Sequence, residues 1–154
     1  EDIGYIYRKN DMSVSWQYRL DSVENWFKLV YELKSWIEKK DKDPKEYTSL
    51  IGYLLIFAAF FDGKMEYMQH KKSLWAGRKV LKKYGSNPMG RKAFTELADR
   101  RKKLQITQKL WKIMIRTFSL GMKWRWYLLM SVGIKILVSC RVDERLSDTG
   151  LRKK

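Results

Sequence analysis

The sequence predicts an all-α protein, a bundle of about five helices preceded by an extended or hairpin-like N-terminal arm. Apolar residues recur every three or four positions through most of the chain after residue 20, and both prolines stand where a helix would begin. A composition that is 45% hydrophobic supplies ample material for a core. At 154 residues the chain is about one domain long. We therefore predict an arm over residues 1–20, a single helical domain over 21–145 and a basic tail over 146–154.

The first helix is predicted to follow the arm directly. Apolar residues alternate with polar ones over residues 3–20, a pattern typical of extended chain, and we favour an arm over a loose hairpin there. Asp21 or Ser22 can cap a helix that continues to about Lys40 with helical spacing of its apolar residues.

The second and third helices are predicted on either side of Asp62 and Gly63. Asp43 is a suitable N-cap and Pro44 suits the first position of a helix. Residues 50–61 are apolar on all sides, which indicates a central core helix that is too short to cross a bilayer. Asp62 and Gly63 are predicted to end it, and a third helix should cover residues 64–84.

The fourth helix is predicted to be long and the fifth to be buried. Asn87 and Pro88 indicate a helix start, and the apolar spacing continues to about Leu120, where Gly121 offers an end or a bend. A fifth helix over residues 122–141 begins with the sequence MKWRWYLLM and lacks a polar face. We predict that it lies in the core or in a subunit interface, with Cys140 packed as a small apolar residue.

Trp26, Trp75 and Trp111 lie on or beside apolar stripes, so we predict that they belong to the core.

Positive charge is concentrated in the second part of the chain. The formal net charge is +16. Residues 1–62 carry 9 basic and 11 acidic side chains, whereas residues 63–154 carry 24 basic and 6 acidic ones. A field of this size attracts polyanions, so nucleic acid and anionic lipid are the expected partners.

Basic residues recur every seven positions on the predicted third and fourth helices, away from the apolar stripes. Side chains seven apart lie on one slowly turning ridge of a helix, and acidic residues that could neutralise these ridges are scarce. We predict that the ridges contact phosphates, with no specific recognition of bases. The predicted nucleic-acid-binding residues are Lys64, Lys71, Lys72, Arg78, Lys79, Lys82, Lys83, Arg91, Lys92, Arg100, Arg101, Lys102, Lys103, Lys109, Arg116 and Lys123.

The function predicted from these ridges is structural binding of DNA or RNA. A coat, nucleocapsid or ribonucleoprotein component that assembles with itself or with other subunits fits the charge distribution. One alternative is a peripheral or partly embedded membrane protein of a matrix or membrane-shaping type, in which residues 50–61 and 126–140 touch lipid. Another is a subunit of a large complex whose basic faces meet acidic proteins.

Catalysis and metal binding have little support in the sequence. The chain has one histidine, His70, and one cysteine, too few ligands for a His and Cys metal site. We therefore predict no enzyme activity, no catalytic or metal-binding residue and no cofactor. The first ten residues lack the apolar segment of a signal peptide, so we expect an intracellular or virion-associated protein.

Overall fold

The described part of the chain contains helices and no strands, which confirms the predicted all-α class. The computed structural model describes residues 20–40, 44–99, 101, 104, 106 and 109–140. Within these ranges there are six helices and no strand. They are α1 (Ser22–Lys39), α2 (Pro44–Gln69), α3 (Leu74–Ser86), α4 (Pro88–Ala98), α5 (Lys109–Lys123) and α6 (Tyr127–Ser139). Residues 1–19 of the predicted arm, the Asp43 cap and the basic tail lie outside the described residues.

Helix α2 forms the centre of the bundle and packs against each of the other five helices. Its buried residues Leu55, Ala58 and Ala59 belong to a single apolar core that also includes Phe27 of α1 and Phe94 of α4. The predicted central core helix is therefore confirmed, although it is longer than expected.

The predicted break at Asp62 and Gly63 is wrong, because both residues lie inside α2 and both are buried. The Asp62 carboxylate accepts hydrogen bonds from the Tyr84 hydroxyl at 2.7 Å and from the Ser22 hydroxyl at 2.9 Å. A buried carboxylate with two donors can remain within a core helix. Burial raises the pKa of this carboxyl above its usual value, against the lowering effect of the two hydroxyl donors.

Helix α2 ends at Gln69, eight residues after its predicted end. The turn that follows it lies within residues 64–84, where a third helix was predicted. Lys71 and Lys72 have positive φ angles of 49° and 61°, which end the helical path. Ser73 then caps α3 by accepting a hydrogen bond from the Ala76 amide.

The predicted long fourth helix is also wrong, because α4 ends at Ala98 and α5 begins at Lys109. Its predicted start is confirmed, since the Asn87 side chain accepts hydrogen bonds from the amides of Met89 and Gly90 ahead of the first turn. Helices α4 and α5 pack against each other, and the Arg116 guanidinium donates a 2.8 Å hydrogen bond to the Asp99 carbonyl.

The last two helices differ in their bounds from the prediction. Gly121 is buried inside α5, where Met130 of α6 packs closely against it, and the turn comes at Trp124–Trp126 instead. Arg125 makes this turn with a φ of 61°.

Helices α3 and α6 approach closely through small residues. A Cβ on Gly77 would lie 2.6 Å from the Ser131 hydroxyl oxygen, so only glycine leaves room for this contact. The same Ser131 hydroxyl donates a 2.8 Å hydrogen bond to the Leu74 carbonyl. The inner side of α6 is thereby fixed against α3, which determines the side that α6 turns outward.

Candidate functional site

The predicted basic ridge on the third helix does not exist as a single ridge. Lys64 is half-buried on α2, while Lys71 and Lys72 are exposed in the turn between α2 and α3. Of the three cations that are seven positions apart, Lys64, Lys71 and Arg78, only Arg78 lies on α3. Because the helix breaks at residues 70–73, the seven-residue spacing no longer places these side chains on one face.

A basic face nevertheless lies on α3 itself, and we call it the α3 basic face. Helical spacing places its members on the side opposite the buried Val80, Leu81 and Tyr84. The face consists of Trp75, Arg78, Lys79, Lys82, Lys83 and Ser86. Four of its six residues are cations, and α3 contains no acidic residue.

Trp75 lies at the centre of the α3 basic face, so its predicted position in the core is wrong. Its side chain is 61% exposed, and the Arg78 guanidinium lies 5.1 Å from its ring centroid. Trp75 and the buried Leu81 are six positions apart on α3, so the helix places their side chains about 120° apart and turns Trp75 away from the core. Trp111 is also exposed, and Trp26 is partly buried against the core.

The α3 basic face continues onto the start of α4. Ser86 lines a shallow depression together with Arg91, Lys92 and Thr95, and Glu96 is its only acidic member. Arg91 and Lys92 are both exposed, as predicted for phosphate-binding residues.

The predicted ridge on the fourth helix is shortened to three residues of α5. Lys109, Arg116 and Lys123 are seven apart on this helix, and Lys109 and Lys123 are exposed. Arg116 is half-buried and hydrogen-bonded to the end of α4, so it also serves the fold. Arg101 is exposed after α4, whereas Arg100, Lys102 and Lys103 lie outside the described residues.

Exposed apolar side chains on the outer sides of α5 and α6 and in the turn between them form a second set, which we call the apolar surface. On α5 it runs beside the ridge of Lys109, Arg116 and Lys123, and on α6 it lies opposite the buried Ser131 and Ile134. Its members are Leu110, Ile113, Leu120, Trp124, Trp126, Leu128, Leu129 and Ile136. All are exposed except Leu120, which is half-buried.

The prediction that the sequence MKWRWYLLM belongs to the core or to a subunit interface holds for Met122 and Tyr127, which are buried in the core, but a core position is wrong for its two tryptophans. Trp124 and Trp126 are exposed and contact each other edge to face, with ring centroids 4.8 Å apart. Cys140, which we predicted to be buried, is exposed at the end of α6. The lack of a polar face on this helix is the sequence signal for the apolar surface, since an exposed helix of an ordinary globular protein has a polar side.

The described residues hold no group of three or more metal-ligating side chains. None of their helices is long and apolar enough to cross a membrane. His70 is exposed, 3.3 Å from the Glu66 carboxylate one turn earlier. The candidate functional sites are the two exposed surfaces, the α3 basic face and the apolar surface.

Comparison with protein-family models, with curated proteins and with solved structures finds no match to this chain.

Proposed function

We propose that this protein is a peripheral membrane protein that docks on an anionic lipid bilayer through the apolar surface of α5 and α6. The observation that carries the proposal is the combination of exposed aliphatic side chains on two consecutive helices with two exposed tryptophans in the turn between them and with flanking cations. For the apolar surface we prefer this function to nucleic-acid binding, which the charge pattern of the sequence alone favours.

Nucleic-acid binding would suit α5 and α6 if all their apolar side chains were used in a shared core. Leu110, Ile113, Leu129 and Ile136 are instead exposed on the outer sides of their helices. Phosphate contacts require only cations, and a nucleic acid backbone has no use for aliphatic side chains. A lipid surface takes up such side chains between its headgroups and acyl chains.

The charge around the apolar surface favours anionic lipid over a second copy of the chain. The sequence has no acidic residue between positions 100 and 142, so two such surfaces brought together would repel each other. Lys109 and Lys123 lie beside the aliphatic residues of α5, at the position that cations occupy on interfacial helices. Each cation close to an anionic membrane contributes about 1 kcal/mol to binding.

The turn between α5 and α6 has the composition of a membrane-interface anchor. Trp124 and Trp126 combine an apolar ring with a polar N–H group, which suits the level of the headgroups. Lys123 and Arg125, which are also exposed, can extend toward the lipid phosphates while their apolar stems stay among the rings. We therefore propose that this turn lies at the headgroup level and that the helices lie on the membrane.

Vesicle flotation tests the proposal. We expect the protein to float with phosphatidylcholine vesicles that contain phosphatidylserine and to remain at the bottom of the gradient with pure phosphatidylcholine vesicles. Binding should weaken as salt is added, because mobile ions screen the cations.

A charge-reversed pair of variants locates the site. The double variant Lys109→Glu and Lys123→Glu should lose flotation. The matched control, Lys28→Glu and Lys34→Glu, changes two exposed lysines of α1 and has the same net charge, and it should float like the parent protein. Equal binding to neutral and anionic vesicles, or equal loss in both variants, would refute the proposed site.

A further inference from the structure

We infer that the α3 basic face binds single-stranded nucleic acid, at a site separate from the apolar surface. The inference does not depend on membrane binding, because none of the residues involved belongs to the apolar surface. It keeps the predicted phosphate-binding function for Arg78, Lys79, Lys82 and Lys83 and assigns a stacking role to Trp75.

The cations of this face are available to a polyanion. Lys79 and Lys82 are exposed one turn apart, on the side of α3 away from its buried residues. The nearest acid to Lys83 is Glu24 of α1, whose carboxylate lies 3.6 Å away, with both side chains about half exposed or more. An exposed pair of this kind contributes little and can be exchanged for a phosphate contact.

Trp75 determines the kind of nucleic acid that fits. Its indole ring stands among the cations, and the adjacent Arg78 guanidinium adds charge at the ring. An exposed ring bordered by cations is the arrangement on which proteins stack unpaired bases while they hold the backbone. The bases of a duplex are already stacked on each other, so Trp75 can contribute fully only to a single strand.

The continuation onto α4 provides a path for the strand. Ser86 belongs to the α3 basic face and also lines the depression that contains Arg91 and Lys92. A backbone that leaves α3 near Ser86 therefore meets two more exposed cations without crossing an apolar region.

Two observations distinguish the α3 basic face from the apolar surface. Trp75 is its only large apolar side chain, so it has no aliphatic group to insert into lipid. The inner side of α6 packs against α3 through Ser131 and Gly77, so the outer sides of α3 and α6 face different directions. The same molecule can thus hold a nucleic acid and a membrane at the same time.

Fluorescence anisotropy with a labelled oligothymidine of about 30 nucleotides tests the inference. We expect Trp75→Ala to weaken binding about tenfold, since stacking on one aromatic side chain contributes about 1–3 kcal/mol per base. Binding to a duplex of the same length should change little. The double variant Lys79→Gln and Lys82→Gln should reduce the slope of log affinity against log salt by about 1.4, the value for two lost phosphate contacts on a single strand.

Matched controls separate this face from general electrostatic attraction. Lys28→Gln and Lys34→Gln remove the same charge from α1 and should leave the salt slope unchanged. Trp36→Ala removes an exposed tryptophan from α1 and should not weaken oligothymidine binding. Circular dichroism should show parental helix content in all variants.

The inference is overturned if oligothymidine does not bind, or if the α3 and α1 variants weaken binding equally. It is also overturned if the α3 variants lose vesicle flotation while they retain oligothymidine binding, because the face would then be a lipid contact. If the α5 variants lose flotation but still bind oligothymidine, the inference of nucleic-acid binding by the α3 basic face is supported. The failure of this inference can therefore be distinguished from the failure of the membrane proposal.

Discussion

Replacing three exposed residues of α6 by glutamine should abolish membrane docking without unfolding the protein. The variant is Leu128→Gln, Leu129→Gln and Ile136→Gln, and glutamine is chosen because it is a good helix former. The three side chains are 42%, 53% and 55% exposed, which together amounts to about one and a half side chains open to solvent.

The expected loss of affinity follows from this exposure. Full transfer of a leucine or isoleucine side chain from water to an apolar phase is favourable by about 1.5–3 kcal/mol. One and a half side chains therefore contribute about 2–4 kcal/mol to docking, which corresponds to a reduction of roughly 30-fold to 1000-fold in the vesicle partition coefficient.

Titration of the protein with phosphatidylserine-containing vesicles measures this coefficient. The matched control is Leu29→Gln, Leu50→Gln and Met68→Gln on α1 and α2, whose side chains are 48%, 49% and 49% exposed. The control should partition like the parent protein. If it loses as much affinity as the α6 variant, or if the α6 variant keeps its affinity, the assignment of lipid contact to α6 is wrong.

Three further predictions concern the fold that positions both surfaces. Burial raises the pKa of the Asp62 carboxyl above 3.8 in the folded protein. The contribution of this carboxyl to the free energy of unfolding is therefore largest below pH 3.8, and it is lost as the pH rises through the pKa of the folded state. Urea denaturation should accordingly show the parent protein losing stability relative to Asp62→Asn between pH 3.5 and pH 7, and a constant difference would contradict this account. Gly90→Ala should destabilise the protein by about 1–3 kcal/mol, because the new Cβ would overlap the backbone carbonyl of Tyr84. Its control, Gly133→Ala, adds a Cβ in open space and should stabilise α6 by about 0.5–1 kcal/mol, so a loss of stability there would contradict the open position. Asn87→Ala removes the cap of α4 and should lower the unfolding free energy by about 1 kcal/mol, and an unchanged value would mean that the two amides find other acceptors.

Local signals in the sequence were sufficient to predict several elements. Asn87 and Pro88 marked the start of α4 because capping involves only neighbouring residues. The all-round apolar character of residues 50–61 correctly placed α2 at the centre of the fold. The helix end predicted at the polar Asp62 is wrong. The hydroxyls that donate hydrogen bonds to its carboxylate belong to residues 40 positions earlier and 22 positions later, so no local sequence signal shows that Asp62 can be buried.

The candidate surfaces were harder to predict because a face depends on where each helix begins. The ridge through Lys64, Lys71 and Arg78 required one continuous helix, and the turn before Ser73 divides it. Ser73 itself is a good N-cap residue, and this signal could have shown the break. The outward side of α6 could not be predicted from its composition, because a helix that is apolar all round gives no indication of which side packs against the core. The contact between Ser131 and α3 determines it.

The proposed contact of α5 and α6 with lipid is tested most directly by the environment of Cys140 when the protein is bound to a vesicle. This is the only cysteine of the chain, and it is exposed at the end of α6, in helical register with Leu129 and Ile136. An environment-sensitive fluorophore attached to it should shift its emission to the blue when phosphatidylserine-containing vesicles are added, and the same dye on Trp36→Cys in a Cys140→Ser background should not respond. Unchanged emission from Cys140 while the protein floats with the vesicles would contradict the claim that α5 and α6 face the lipid.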